Sequence, residues 1–561
     1  MVSAAFQTLM DQKRGADTRS KVEHITKAGV TTDISSYFLS GGNIQQVKER
    51  APDQIQAGEF DIQLANHDDK FSEFIVGSLF ETQDYHGDRI RISQGFLLPN
   101  GTEEYEVQAV GYIDQLTIGP EGSTVVLRCR DILWRLMDQK LHARPVEEIP
   151  VANSGNTGDG FVTAVETKPF ATVNQDWTLT CTLGGGDATA TFSVVGSVAG
   201  NIGTATSGTE FSDGAANRGI KFTVKAGGTN WVSGDVFTFS TKQYPQWSSV
   251  NAGKIIWSIL TGYVWDSDTQ ENFSGLVLDF DRTQSSANTE LDYDSFVSLI
   301  SALDDSGNFN LKGFVPYDTN TVDFLQDIIL LFLGSIFAGN DGRIKAKTFI
   351  PIFDAATPIN FSDDKKLTML GYIRTIDEVI NSVSVVYRKS DVYVFSDEQD
   401  TRDGFYAKRD SSSISAYKEI GIEFNVPWHT ASGSHVTDFA DKLVGKYGTP
   451  PLNIEFKTGM DALTTEIGDN ITVTGSKIGL SEIGAEVAAV SKSFDVKPSS
   501  VSIRARRDEQ ADAIFGFIGS EIDEGDGISP QSDDYDTATE SDKKFIYFGS
   551  VATSIPDHRM F

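Results

Sequence analysis

Residues 58–137 constrain the fold more than any other stretch. They open on a run whose side chains alternate, Glu59-Phe60-Asp61-Ile62-Gln63-Leu64. A polar turn follows, Asn66-His67-Asp68-Asp69-Lys70, closed by Phe71. Two more extended runs flank Asn100-Gly101, and the block ends Val125-Val126-Leu127-Arg128-Cys129-Arg130-Asp131-Ile132-Leu133-Trp134. Period-2 alternation buries one face of each strand, and Asn-Gly supplies the positive φ angles of a tight hairpin. A meander ending in a short amphipathic helix (Ile132, Leu133, Leu136, Met137) is the plan of a small β-barrel, with no catalytic groups at its turns.

A chain of 561 residues is too long for one core, and length suggests about three to five domains. Residues 1–20 read as an N-terminal arm, and 21–145 as the first barrel. Prolines mark a link at Arg144-Pro145 and Ile149-Pro150. Residues 153–242 then turn rich in Gly, Thr, Ala and Ser, with alternating runs at Trp177–Cys181, Ala190–Val194, Gly219–Val224 and Val236–Phe239. Short strands separated by turns predict a β-sandwich inserted over 150–245. From 246 to 358 the period changes: Ile255, Ile256, Ile259 and Leu260, then Phe296, Val297, Leu299 and Ile300, then Phe324, Leu325, Ile328, Leu331 and Phe332 mark three helices of an α/β part. Strands return over 359–515 with a helical excursion near 430–448, and 516–561 read as an acidic linker and docking segment ending on Phe545-Ile546-Tyr547-Phe548. The expected fold is mainly β with an α/β middle part: two tube-type β-barrels, an inserted β-sandwich and a mixed domain.

The order of these pieces resembles the N-terminal domain of phage tail hub proteins, the baseplate or tail-tip hub family. The residues that carry it are Asn66, Asp68 and Phe71, then Arg130, Asp131 and Leu133. Further likenesses are Asn251-Ala252-Gly253-Lys254, Tyr293-Asp294-Ser295-Phe296, Asn381–Tyr387 as the first strand of a second barrel, and Ile467–Val473 as a late strand of it. The large insert departs from the family. The resemblance implies a homotrimer in which two barrels per chain cap a hexameric tube at the virion tail tip. It also implies a distal tail or tube protein above, tip, fibre or spike proteins below, tape-measure protein in the lumen, and DNA passing through during genome ejection without specific binding.

Composition agrees with that class. A net charge of −32 opposes a nucleic-acid reader, which needs clustered Lys and Arg, and suits either a non-adhesive channel or a soluble acidic surface. Glu59 and Asp61 share one strand face and are candidates for the channel or for plain solvation. Cys129 and Cys181 fall in different domains, so no disulfide framework is expected. Met1–Ser20 lacks the apolar core of a signal peptide, and Ile328–Ala338, read as a buried helix, is too short to span a bilayer.

Enzymatic rivals find little support. The histidines, His24, His67, His86, His142, His429, His435 and His558, form no zinc-protease spacing, and there is no Gly-x-Ser-x-Gly elbow. Asp279, Asp281, Asp292 and Asp294 read as loop-flanking acids, and Asp523-Glu524-Gly525-Asp526-Gly527 lacks the ligand spacing of a calcium loop. No catalytic, cofactor or metal residue is expected. The competing class is a tail adhesin or carbohydrate-binding receptor-recognition protein. For that role Trp231, in a Gly-Gly-Thr-Asn turn, is the exposed candidate for stacking on a host-surface glycan, whereas Trp177 shares a strand face with Leu179 and Cys181 and reads as core.

Overall fold

The computed structural model describes residues 3–10, 17–47, 55, 57–81, 84–137, 139–141, 149–168, 172–213, 219–243, 245–267, 278–304, 309–315, 319–348, 358–363, 367–388, 403–429, 434–494, 500–507, 546–548 and 558–560. The Arg144-Pro145 link and the acidic stretch through Asp536, with its Asp523–Gly527 loop, lie outside them.

Helix α1 (Ala4–Met10) leads into β1 (Thr18–Ile25), β2 (Thr31–Asp33), β3 (Phe38–Gly41), β4 (Asn43–Val47), β5 (Glu59–Ala65), β6 (Arg89–Leu97), β7 (Glu103–Ile118) and β8 (Thr124–Arg130). Seven of these strands form an antiparallel sheet in the order β2-β1-β6-β7-β8-β5-β3. Alternation works as the sequence predicts: Phe60, Ile62 and Leu64 are buried, and Glu59 and Asp61 are exposed. The Asn66 side chain accepts from the Phe71 amide at 2.8 Å, closing the polar turn. Gly101, at φ +82°, turns β6 into β7. After β8, the Asp131 side chain caps a 3-10 turn over Ile132–Leu136.

The insert contains β9 (Val151–Ala152), β10 (Phe161–Val162), β11 (Glu166–Thr167), β12 (Gln175–Leu183), β13 (Thr191–Gly196), β14 (Gly200–Thr206), β15 (Glu210–Asp213), β16 (Ile220–Lys225) and β17 (Val236–Thr241). One sheet runs β14-β13-β12-β17-β9, and the other is built around β16. Trp177, Phe192 and Phe237 from the first meet Ile220, Phe222 and Val224 from the second in one core drawn wholly from residues 162–239.

In the middle part, β18 (Gln246–Asn251) leads through the Asn251 cap into α2 (Ala252–Thr261). Then come α3 (Tyr293–Asp304), β19 (Asn310–Phe314), α4 (Thr321–Leu330), β20 (Ser335–Ala338) and β21 (Ile344–Lys347). The apolar run Ile328–Ala338 is therefore not one helix. It ends α4, turns at Leu333 (φ +53°) and continues as a fully buried strand, a distinction that an unbroken apolar run does not encode.

The last part holds β22 (Ile359–Ser362), β23 (Thr368–Arg374), β24 (Ser382–Arg388), β25 (Asp403–Arg409), α5 (Ser411–Tyr417), β26 (Gly421–His429), α6 (Ser434–Tyr447), β27 (Leu452–Thr458), β28 (Asn470–Gly475), β29 (Leu480–Ser493) and β30 (Val501–Arg506), and a short pair, β31 (Ile546–Phe548) with β32 (His558–Met560), lies beyond. The second seven-stranded sheet has the order β22-β28-β29-β30-β27-β23, with β4 added beside β29.

The protein is mostly β, with two corrections to the expected plan. Among the described residues neither large sheet closes into a barrel, because β2 does not pair with β3, nor β22 with β23. In addition, β24 is not the first strand of the second large sheet. It joins β25, β26, β19 and β18 in a five-stranded sheet, where Val383, Val385 and Phe424 share a core with Val436, Phe439 and Leu443 of α6 and with α2. Apolar packing against those helices, which strand alternation cannot reveal, decides its membership.

Candidate functional site: the seam and the free edges of the two sheets

The two large sheets meet at Gly41-Gly42. The Gly42 amide donates to Asp61 O of β5 at 2.7 Å, while the adjacent Gly41 amide donates to Phe494 O, just past β29, at 2.9 Å. Successive amides in an extended chain point to opposite sides, so here one stretch of backbone has a neighbour on each side. From there β4 runs antiparallel to β29, with Ile44 opposite Lys492 and Gln45 opposite Ser491. Phe494 inserts into the first sheet's core, its ring edge-on to Phe60 at 6.2 Å. Helix α1, read from sequence as an arm, adds a second bridge: Phe6 packs on Phe96 of β6 and on Leu463 of the second half.

Polar groups lock the middle hairpin behind this seam. Lys492 Nζ donates to Asn340 Oδ1 at 2.8 Å and to Leu463 O at 2.7 Å. Glu466 accepts from the Asn340 amide at 2.7 Å and pairs with Lys345 at 2.9 Å, and Lys347 pairs with Asp469 at 2.6 Å. Burial pushes the Lys492 ammonium down to about 7 despite the nearby Glu466 and Asp469 carboxylates. At Lys345 burial acts in the same direction, but Glu466 and Asp341 outweigh it and hold the ammonium above its ordinary range. Asp131, which accepts from the Gly58 and Leu133 amides at 2.6 and 2.9 Å, is buried, and that burial pushes its carboxyl up to about 7.

The open faces are balanced in charge. Glu59 contacts Arg128 and pairs with Arg130 at 3.1 Å, and Arg130 also reaches Asp114 at 3.3 Å. On the second sheet, Glu455, Lys457 and Arg504 line an open groove with Gln45, Ser491 and Ser502. Among the described residues the first sheet ends on β2 and β3 and the second on β22 and β23, and the outer sides of β2 and β23 carry no further strand. Strand β23 and the turn after it expose Tyr372, Ile373 and Ile376, apolar groups on an edge that itself carries unpaired backbone donors and acceptors.

Trp231 is not the exposed residue its turn suggests. It is 2% exposed, edge-on to Phe192 and Phe237 at 5.4 Å each. Gly158 and Gly160 make the room: a Cβ on either would come within 2.3 Å of the indole. Trp177 is buried, its Nε1 donating to Thr241 Oγ1 at 3.0 Å. Sequence reading missed a buried His24–Asp88 pair (2.8 Å), which Phe80 covers edge-on. Asp281 accepts from the Thr283 and Thr289 amides, and Asp292 faces Arg343 and Lys345, so these acids organise turns and the hairpin. Among the described residues no group of His, Cys, Asp and Glu is arranged to hold a metal ion, and no helix is long and apolar enough to cross a membrane.

No family model matches the chain, and no curated protein does. Among solved structures, the tail protein from Neisseria meningitidis MC58 is 8% identical, with 88% of this chain and 97% of that chain covered at a TM-score of 0.42. The prophage MuSo2 43 kDa tail protein from Shewanella oneidensis is 9% identical, covering 88% and 99% at 0.41. Prophage tail protein gp18 from Listeria monocytogenes EGD-e is 7% identical, covering 88% and 97% at 0.38.

Proposed function

We propose that this chain is a structural tail hub at the distal end of a phage tail tube, in the virion, with a mechanical and not an enzymatic role. One observation carries the reading: a single chain supplies two seven-stranded sheets, fused at Gly41-Gly42, whose end strands include β2 and β23, neither with a further strand on its outer side among the described residues. A free edge needs a neighbour or a cover. Three copies laid end to end, β23 of one beside β2 of the next, pair both of these edges. Two sheets per chain then give a trimer hexameric pseudo-symmetry, which adapts a hexameric tube above to a trimeric tip below. The motif order from Asn66 to Phe71 and from Arg130 to Leu133 supports the same assignment.

In this reading the partners are a tube or distal tail protein above, a tip, fibre or spike protein below, and tape-measure protein and then DNA within the ring. The paired Glu59, Asp114, Arg128 and Arg130 give phosphate little net attraction, which suits passage without retention. Native mass measurement of the purified chain and of isolated tail tips tests the proposal. Three copies are expected; a lone copy or six copies per ring would reject it.

A further inference from the structure

The loop between β5 and β6 holds apolar groups in water on an ordered frame. Its ends are anchored by Phe71 and Phe80, both buried in the first sheet's core. Between them the Leu79 amide donates to Lys70 O at 2.7 Å, Ser78 N to Ile75 O at 3.2 Å, and Gly77 N to Glu81 Oε2 at 2.8 Å. The tip of this closed loop carries Phe74, Ile75 and Val76, which are 83%, 40% and 87% exposed. Aromatic and aliphatic side chains held on a hydrogen-bonded loop are the physical form of an interface anchor, because less conformational freedom is lost when they dock. Residues 66–81 hold four acids, Asp68, Asp69, Glu73 and Glu81, against the single lysine Lys70.

We infer that this loop is a docking knob for a different protein, one that presents an apolar pocket rimmed by Lys and Arg. Charge selects that occupant. The acidic rim repels an anionic lipid surface. It also disfavours a second copy of a chain whose net charge is −32. A basic-rimmed pocket gains on both counts: its floor covers Phe74 and Val76, and its rim meets the carboxylates and speeds encounter. The inference needs no ring geometry, so it stands or falls apart from the hub proposal, whose measurement is copy number.

The test places a photoreactive benzoyl-phenylalanine at position 74 of the full chain in assembled particles and maps the adduct by peptide mass spectrometry. The expected product is a cross-link to another polypeptide, at apolar residues flanked by Lys or Arg. The Glu73→Gln, Glu81→Gln variant keeps acceptors for Tyr85 Oη and the Gly77 amide and deletes only charge. It should lower the yield about tenfold, and added salt should do the same to the parent. Adducts to a second copy or to lipid, no adduct in intact particles, or a yield indifferent to charge would overturn the inference. Purified chain that co-sediments with phosphatidylcholine vesicles, with or without phosphatidylglycerol, would also overturn it.

Discussion

Gly41 and Phe494 touch through backbone and side chain at once: the Gly41 amide bonds Phe494 O at 2.9 Å, and a Cβ on Gly41 would lie 2.7 Å from Phe494 Cβ. Neither atom of that clash is the free end of a flexible chain, so the seam has no room for a side chain on the glycine. Gly41→Ala should destabilise the protein by about 1–3 kcal/mol through overpacking. Phe494→Ala should cost about 3–5 kcal/mol by leaving a cavity beside Phe60. Denaturant unfolding checks both. Wild-type stability in the two variants would show that the sheets are not held here.

Asp131 should make stability fall as pH rises. Its carboxyl titrates near about 3.9 in an unfolded chain and at about 7 when folded. Between those values the folded state holds the extra proton, so stability declines from about pH 4 to pH 7 and is flat above. Asp131→Asn should abolish that decline, at a cost of about 1–3 kcal/mol because one amide presented by Gly58 or Leu133 loses its acceptor. Urea unfolding across that range decides it, and an unchanged slope in the variant contradicts the assignment.

Lys492 predicts the opposite slope in a different window. Its ammonium titrates near about 10.4 unfolded and about 7 folded. There the unfolded state binds more protons, so stability should rise from about pH 7 to about pH 10. Lys492→Met should flatten this rise. Should the variant keep the full rise, Lys492 is not its source.

Excision of the insert should leave the rest intact. Its core uses only residues 162–239, and its entry and exit are adjacent strands, Ala152 opposite Phe237. Replacing residues 151–241 with a short Gly-Ser linker should preserve the copy number and unfolding transition of the remainder. The excised insert should fold alone, and in it Trp231→Ala should cost about 3–5 kcal/mol. Aggregation of the shortened chain would show that the insert belongs to its structural core.

Local pattern carried the strands and caps. Alternation placed Phe60 and Ile62 inward and Glu59 outward, and Asn251 marked the start of α2, because each depends on neighbours within a few residues. Partners distant in sequence were hidden. Asn43-Ile44-Gln45-Gln46-Val47 sets its two apolar residues three apart, off a period of 2, so nothing local marks β4 as a strand, still less one paired with β29. Trp231 was misplaced because its own turn is polar, whereas its cover comes from Phe192 and from the space left at Gly158 and Gly160. The free edges depend on pairing between distant strands and have no local signature. The exposed Phe74-Ile75-Val76 run is legible in the sequence as three adjacent apolar residues within a polar loop.

The pairing of β4 with β29 also sets an order of events in time. Residues 43–47 leave the ribosome roughly 450 residues before residues 489–493, an interval on the order of tens of seconds at ordinary translation rates. Until then the first half of the nascent chain has a strand without its mate and a core lacking Phe494. Emergence of β29, and not collapse of the first half, is the event that joins the two sheets.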